Sequence, residues 1–403
     1  MREIADGFLR PDGKKGIRNK LLVIYTVDCA WHVAVRIRED LARRGWDADV
    51  VGQRSCQEHA VRTAILKAYC RHPNVGAVLV VGHGCESTGA EELRDAARDS
   101  GRPADCFFIQ EAGGTEKSIS LGISMAGQLW RQMEESARRT PFYVEDLVIA
   151  GKCGGSDFSS GLVANPLIGL LFDRMVEQGA TCLFAEANEA IGLREELVAR
   201  GVDELARAQL GRVYDKAEES CRMANQFFIR PGNIQGGLTT IEEKSMSSYA
   251  KSGHAPIQGV LKIAHSPSRK GLWLFDELPD EYYPYRLPHE GNPGGDAAIL
   301  MLLNSAGCHL NFLITGRGHT CGTGIAPTIK VTANEAVYER MKRDIDFSAG
   351  AVLRGEETLA AACGRLEELM YGVCAGAPTW ADRLDHRENE IWSIPQEMCG
   401  RGE

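Results

Sequence analysis

The chain has 403 residues, 44% of them hydrophobic and 25% charged, with a net charge of −9. That is length enough for two or three domains, the composition of an ordinary soluble globular protein, and the wrong charge for a nucleic-acid partner. No apolar run approaches the ~18 residues of a membrane span and no signal-peptide core opens the chain, so a cytoplasmic protein is expected, its thirteen cysteines reduced or metal-bound rather than paired.

The first element in chain order is a buried-strand pattern at 20–26 (KLLVIYT). Helical periodicity follows over 33–44, a short strand at 49–52, a helix over 58–70, a strand at 77–81 (AVLVV), a helix over 90–100 and a strand at 105–110. Strands without polar interruption suit a parallel sheet covered on both faces, and the alternation of types predicts double winding. A second set opens with a strand at 142–150 (FYVEDLVIA) and a helix over 167–178. It continues with strands at 181–185, 271–275 and 310–315 and a long helix over 195–209. The expected fold is α/β: two successive doubly wound, mainly parallel, Rossmann-like sheets, divided as 1–140 and 141–403. Residues 275–295, rich in Pro, Tyr and acids, read as a long loop insertion, a length unusual unless it covers a site.

Three places carry candidate chemistry. Lys152-Cys153-Gly154-Gly155-Ser156-Asp157, closing on Ala164-Asn165-Pro166, falls at a strand-to-helix turn, where open α/β sheets bind ligands; a Gly-rich connection around a structural thiol is the plain alternative. Cys29, Cys56 and Cys85 follow the first three strands as Cys153 follows a later one. Thiolates at strand ends suit iron or zinc, although their spacing matches no local metal motif and Cys also serves as a small buried hydrophobe. Thr239 and Thr240 precede a helix with Glu242, Glu243 and Lys244 in its first turn, a pattern that serves either a site or an N-cap. Arg317 stands between two glycines after the strand at 310–314, placed for bidentate carboxylate binding or for plain solvation. No G-x-G-x-x-G follows the first strand, which argues against a dinucleotide enzyme.

These motifs, with Gly7-Phe8-Leu9-Arg10-Pro11-Asp12-Gly13, Gly16-Ile17-Arg18-Asn19, Gly82-His83-Gly84-Cys85-Glu86 and Pro327-Thr328-Ile329-Lys330, occur in the order seen in the altronate and galactarate dehydratase family, which also includes the large subunit of sulfolactate sulfo-lyase. The chain resembles that family from about Gly7 to beyond Trp392. The resemblance implies an iron-dependent lyase that removes water, or alternatively sulfite, from a sugar acid or small 2-hydroxy acid and leaves a 2-keto acid. It assigns catalysis to Lys152, Asp157, Glu242, Glu243 and Lys244, substrate binding to Ser156, Asn165, Thr239 and Arg317, and metal binding to Cys29, Cys56, Cys85 and Cys153. The metal is a ferrous ion, with Mn2+ as a substitute, or an iron-sulfur cluster. Expected partners are the small hydroxy acid, further copies of the chain and a separate small subunit of the SAF type, a domain with which several relatives begin; a non-catalytic subunit is the rival reading. Tyr282, Tyr283 and Tyr285 in the long loop and His319-Thr320-Cys321 after Arg317 depart from the family pattern.

The chemistry suits such residues. A proton next to a carboxylate is weakly acidic, so cations or a metal must stabilise the developing enediolate. Lys152 or Lys244 is a base if its surroundings depress its pKa, and Asp157, Glu242 or the iron assists the leaving hydroxyl.

Overall fold

The structure, a computed structural model, describes residues 2–56, 60–224, 229–278, 295–389 and 391. The apolar runs form inner strands of two parallel sheets, as expected. The first contains β3 (Lys20–Tyr25), β4 (Ala48–Gly52), β5 (Val75–Gly82) and β6 (Ala104–Phe108) in the order β4-β3-β5-β6. The second has seven strands: β8 (Val148–Cys153), β9 (Thr181–Phe184), β10 (Ile257–Lys262), β11 (Gly271–Asp276), β12 (Leu310–Ile314), β13 (Thr328–Thr332) and β14 (Phe347–Ser348). Their order is β10-β11-β9-β8-β12-β13-β14, every pair parallel.

A third, antiparallel sheet was not legible in the sequence. β1 (Glu3–Leu9) pairs with β2 (Lys15–Gly16) and with β7 (Arg138–Tyr143). These segments carry Gly, Pro and charge, and Pro141 is tolerated because β7 is an edge strand. The expected strand 142–150 is therefore two strands split by a single turn at Val144–Asp146, and the second runs far enough to include Lys152 and Cys153. The helix expected over 195–209 is likewise two, Arg194–Ala199 and Glu204–Ala224. Gly201 interrupts, and Asp203 restarts the helix by accepting the Ala206 N–H at 2.7 Å. Thr115–Ser136 is a long helix whose buried stripe begins Ser118, Gly122, Ala126. So small a stripe gives little hydrophobic signal. A Cβ at Gly122 would lie 2.2 Å from Ile37 Cδ1. The expected loop insertion lies mostly outside the described residues, as do Tyr282, Tyr283, Tyr285 and Trp392.

Alternation along the strands assigns their two faces to different cores. Leu21, Val23 and Leu79 pack under the helices Asp28–Arg43 and Thr115–Ser136. Leu22, Ile24, Val78 and Val80 face a layer shared with Ala150, Leu183 and Trp273 of the second sheet. Helix Asp296–Ser305 lies in that layer, buried at every position from Ala298 to Ser305, and Tyr69 donates a hydrogen bond to its Met301 carbonyl. Among the described residues no helix is long and apolar enough to cross a membrane.

Two histidines are sealed into this framework as neutral rings. His309 Nδ1 accepts from Val148 N at 2.9 Å, so Nε2 is the donor to Lys15 O at 2.8 Å; His72 is bonded likewise to Asn74 N and Cys308 O. Burial pushes His309 down to about 4 and holds His72 well below its ordinary value. An unfolded histidine gains its proton below about 6.5, so the stability His309 contributes is complete above that pH and is lost as pH falls toward about 4. Measured by urea unfolding, the stability advantage of wild type over His309→Gln should shrink by about 2 kcal/mol between pH 7 and 5. A constant difference would mean that the ring is not held neutral.

Candidate active site

The parallel pairing of β8 with β9 on one side and β12 on the other brings three strand ends together, and chain order reverses there, between β8 and β12, at a position typical of ligand sites. Lys152, near the end of β8, is buried. Its ammonium donates to Glu186 Oε1 at 2.8 Å, to Asp296 Oδ1 at 2.6 Å and to the Cys153 carbonyl. Glu186, just past β9, accepts the Cys153 N–H at 2.8 Å and the Lys251 ammonium at 2.7 Å on its other oxygen. Lys251 also lies 3.3 Å from Cys153 Sγ. Lys244, two helical turns before Lys251, pairs with Glu189 Oε1 at 2.9 Å. Asp296 Oδ2 meets His319 Nε2 at 2.6 Å, and His319 Nδ1 accepts from Cys321 N. An unbroken chain of polar contacts thus runs from His319 through Asp296, Lys152, Glu186 and Lys251 to Cys153.

Electrostatics fix the resting charges. Burial alone would depress the lysines, yet Glu186, Glu189 and Asp296 outweigh it around Lys152, and Lys244 and Lys251 are likewise held above their ordinary value. All three stay ammonium at neutral pH, so the condition for a lysine base, a lowered pKa, is not met. Burial would raise Glu186, but Lys152 and Lys251 hold it at about 2. The Cys153 thiol is pushed up to about 11 by burial. Glu277, whose carboxylate oxygen lies 3.3 Å from Glu186 N, is held up at about 7, first by burial and then by Asp276. Glu186 itself has φ 74°, a left-handed backbone costing a non-glycine residue on the order of 1 kcal/mol or more, and its contacts over-determine the position.

The remaining candidates have separate places. Asp157 is buried and occupied: Oδ1 accepts from Ser159 Oγ at 2.6 Å and Ser160 N at 3.1 Å, Oδ2 from Asn334 Nδ2 at 2.8 Å. A Cβ at Gly316 would fall 1.8 Å from its Oδ1, so only glycine lets the Arg317 turn approach. Gly155 O accepts both Gly316 N and Arg317 N at 2.9 Å, which zips the two glycine-rich turns together. Asn165 contacts Cys153 Sγ at 3.5 Å and Ser247 Oγ at 2.6 Å. Ser156 is buried, its carbonyl accepting from Asn233 at 2.9 Å. Arg317 is exposed, with one guanidinium nitrogen 2.5 Å from Gly232 O. Glu243 and Thr240 form a reciprocal cap, and Glu243 also accepts from Thr239 N at 2.6 Å; Glu242 is exposed. Of that run, Lys244 alone joins the buried network.

Cys29 lies exposed in the first turn of its helix, and Cys56 and Cys85 are exposed on adjacent loops joined by Ser87 N to Cys56 O at 2.8 Å. The turn holding Cys85 closes on Glu86, which accepts the N–H groups of His83, Gly84 and Cys85. Among the described residues, the one trio whose ligand atoms lie within 4.8 Å of one another is Cys153, Glu186 and Glu189. One sulfur with carboxylate oxygens fits a single divalent ion of intermediate hardness. The three thiols that anchor a cluster with an open iron are not gathered at this trio.

Glu186, Glu189, Lys251, Asp296 and His319 were not assigned roles from the sequence. Two signals were present: acids spaced three apart directly after the strand at 181–184, and a lysine seven residues beyond Lys244, on the same helical face.

Comparison with known proteins follows the same outline. A family model described as D-galactarate dehydratase/Altronate hydrolase, second domain, matches residues 7–134, and one described as D-galactarate/Altronate dehydratase, C-terminal, matches 144–396. The altronate dehydratase of Bacillus subtilis (strain 168) is 30% identical over 96% of this chain and 77% of its own length. That of Escherichia coli (strain K12) is 29% identical over the same shares. The (2R)-sulfolactate sulfo-lyase subunit beta of Chromohalobacter salexigens is 31% identical over 95% of both chains.

Proposed function

The chain belongs to the D-galactarate/altronate dehydratase family, and from that premise we propose that it is a hydro-lyase that dehydrates a sugar acid or related 2-hydroxy acid to a 2-keto-3-deoxy acid. The observation that carries this reading is the buried set of ammonium groups at the ends of β8 and β9, because elimination next to a carboxylate builds negative charge that pre-placed cations stabilise.

The proton at Cα goes to a carboxylate, since the lysines are already protonated. Glu189 is placed to take it, because Lys244 pairs with it through Oε1 and leaves the second oxygen for the substrate. As the Cα–H electrons form the double bond, the β-hydroxyl departs with a proton from Lys244, and Glu189 returns its acquired proton to Lys244 across the 2.9 Å ion pair. Water and an enol leave, and the enol becomes the keto acid. Lys152 stabilises the enediolate, and Arg317, exposed at the rim, takes a substrate carboxylate. Cys153 and Glu186 would hold a ferrous ion beside Glu189, and when bound it supplies Lewis-acid polarisation of hydroxyl and carboxylate. Iron content of anaerobically purified protein should fall to background in Cys153→Ser and stay at the wild-type level in Cys29→Ala and Cys85→Ala. Loss in the latter pair instead would move the metal to the first sheet.

A second reading, release of sulfite from sulfolactate, is favoured by the similarity to the sulfo-lyase subunit over 95% of both chains. Sulfite leaves with less acid assistance than hydroxide, and the same cations would serve. Incubation with altronate, galactarate and sulfolactate, following keto acid and sulfite separately, decides between them. Keto acid without sulfite from a sugar acid supports dehydration; turnover of none, with iron restored, would sink both.

A further inference from the structure

At the opposite end of β8 from Cys153, about 16 Å away along the strand, a cleft of 610 Å³ opens where β8, β9, β11 and β12 begin. Its walls come from the hairpin at 10–16, the turn before β11 and the turn before β12. Lys14, Lys15, Arg269 and Lys270 line it against one carboxylate, Asp146. A neighbouring cavity of 380 Å³ shares Lys14 and adds Lys67 and Arg71. So dense a cationic lining stands out in a chain of net charge −9.

We propose that this cleft is a binding site for a small polyanion, a molecule carrying two or more phosphate or carboxylate groups. The cations are unequally satisfied. Lys15 is paired with Asp146 at 2.7 Å, and Arg269 stands 3.6 Å from Asp203. Among the described residues the ammonium of Lys14 donates to the Arg71 carbonyl alone, at 3.3 Å, and that of Lys270 to the Glu145 carbonyl alone. Among the described residues neither has a carboxylate within salt-bridge reach, and each retains further N–H donors. Burial depresses the Lys14 ammonium against the pull of Asp12, and Arg102 and Arg71 depress it further; an anion there would relieve a local excess of positive charge. Ser266 and Ser268 line the same wall and supply neutral donors to oxyanions. The site shares no lining residue with the buried network around Lys152 and does not rest on the reaction proposed for it.

Isothermal titration of the full chain with pyrophosphate and, separately, with citrate tests this. Saturable binding is expected with at least one probe; pyrophosphate alone marks a phosphate ligand and citrate alone a carboxylate one. The Lys14→Gln/Lys270→Gln variant should weaken it about tenfold or more, a loss of ~1.4 kcal/mol or more. Ser268→Trp, which fills the cleft without removing charge, should weaken it as well, and Arg317→Met should leave it unchanged. Absence of saturable binding to wild type, or wild-type affinity in both cleft variants, would overturn the proposal, as would a loss confined to Arg317→Met.

Discussion

Lys152→Met is expected to lower kcat by about 10²–10³-fold or more, the scale seen when a pre-placed charge-stabilising donor is removed from an active site, with a smaller change in KM. The substitution keeps most of the side-chain volume and removes the ammonium shared by Glu186 and Asp296. Two carboxylates now held below the ordinary range would lose their common partner. Breaking a buried pair from one side costs about 3–5 kcal/mol, so the melting temperature should fall with activity. Lys152→Arg should rescue neither, because a planar fork does not reproduce a compact ammonium that also bonds the Cys153 carbonyl. Steady-state kinetics with thermal unfolding check this; a variant with unchanged kcat would remove Lys152 from the chemistry.

Glu186→Gln attacks the same network from the other side. The carboxylate binds Lys152 on one oxygen and Lys251 on the other, so its neutralisation removes the carboxylate paired with Lys251, which is fully buried. A loss of about 3–5 kcal/mol is again expected, together with loss of turnover. The double variant Glu186→Gln/Lys251→Met should recover part of the stability, since the stranded charge goes with its partner, and none of the activity. That non-additivity is the signature of contact within one network. Strict additivity in urea unfolding would show that the two groups are not coupled.

The parallel sheets were legible because a strand covered on both faces needs an unbroken apolar run, and LLVIY at 21–25 and AVLVV at 77–81 are such runs. The glycine-rich turns were legible because the runs stop where they begin. Partners such as Glu186 were not, because an acid after a strand reads as solvated until the opposite helix contributes Lys251. Glu243 shows the converse. Its motif reads as chemistry or as a cap, and the side chain, turned back onto Thr239 N and Thr240 N, caps the helix while its neighbour Lys244 faces inward. Sequence spacing alone does not say which of two adjacent residues faces a core.

The pairing of β1 with β7 carries a lesson for anyone recombining this chain with its relatives. Ile4, Ala5 and Ile17 precede the first parallel sheet in sequence, yet they pack in the core of the second, beside Phe142 and Ile149. The chain's opening segment thus travels with its far half. A chimaera joined near residue 140 would inherit an entry strand from one parent and that strand's edge partner and core from the other. A compatible splice must exchange the opening segment together with everything from β7 onward, and leave the first sheet with its own helices, Thr115–Ser136 included, as the transplanted insert.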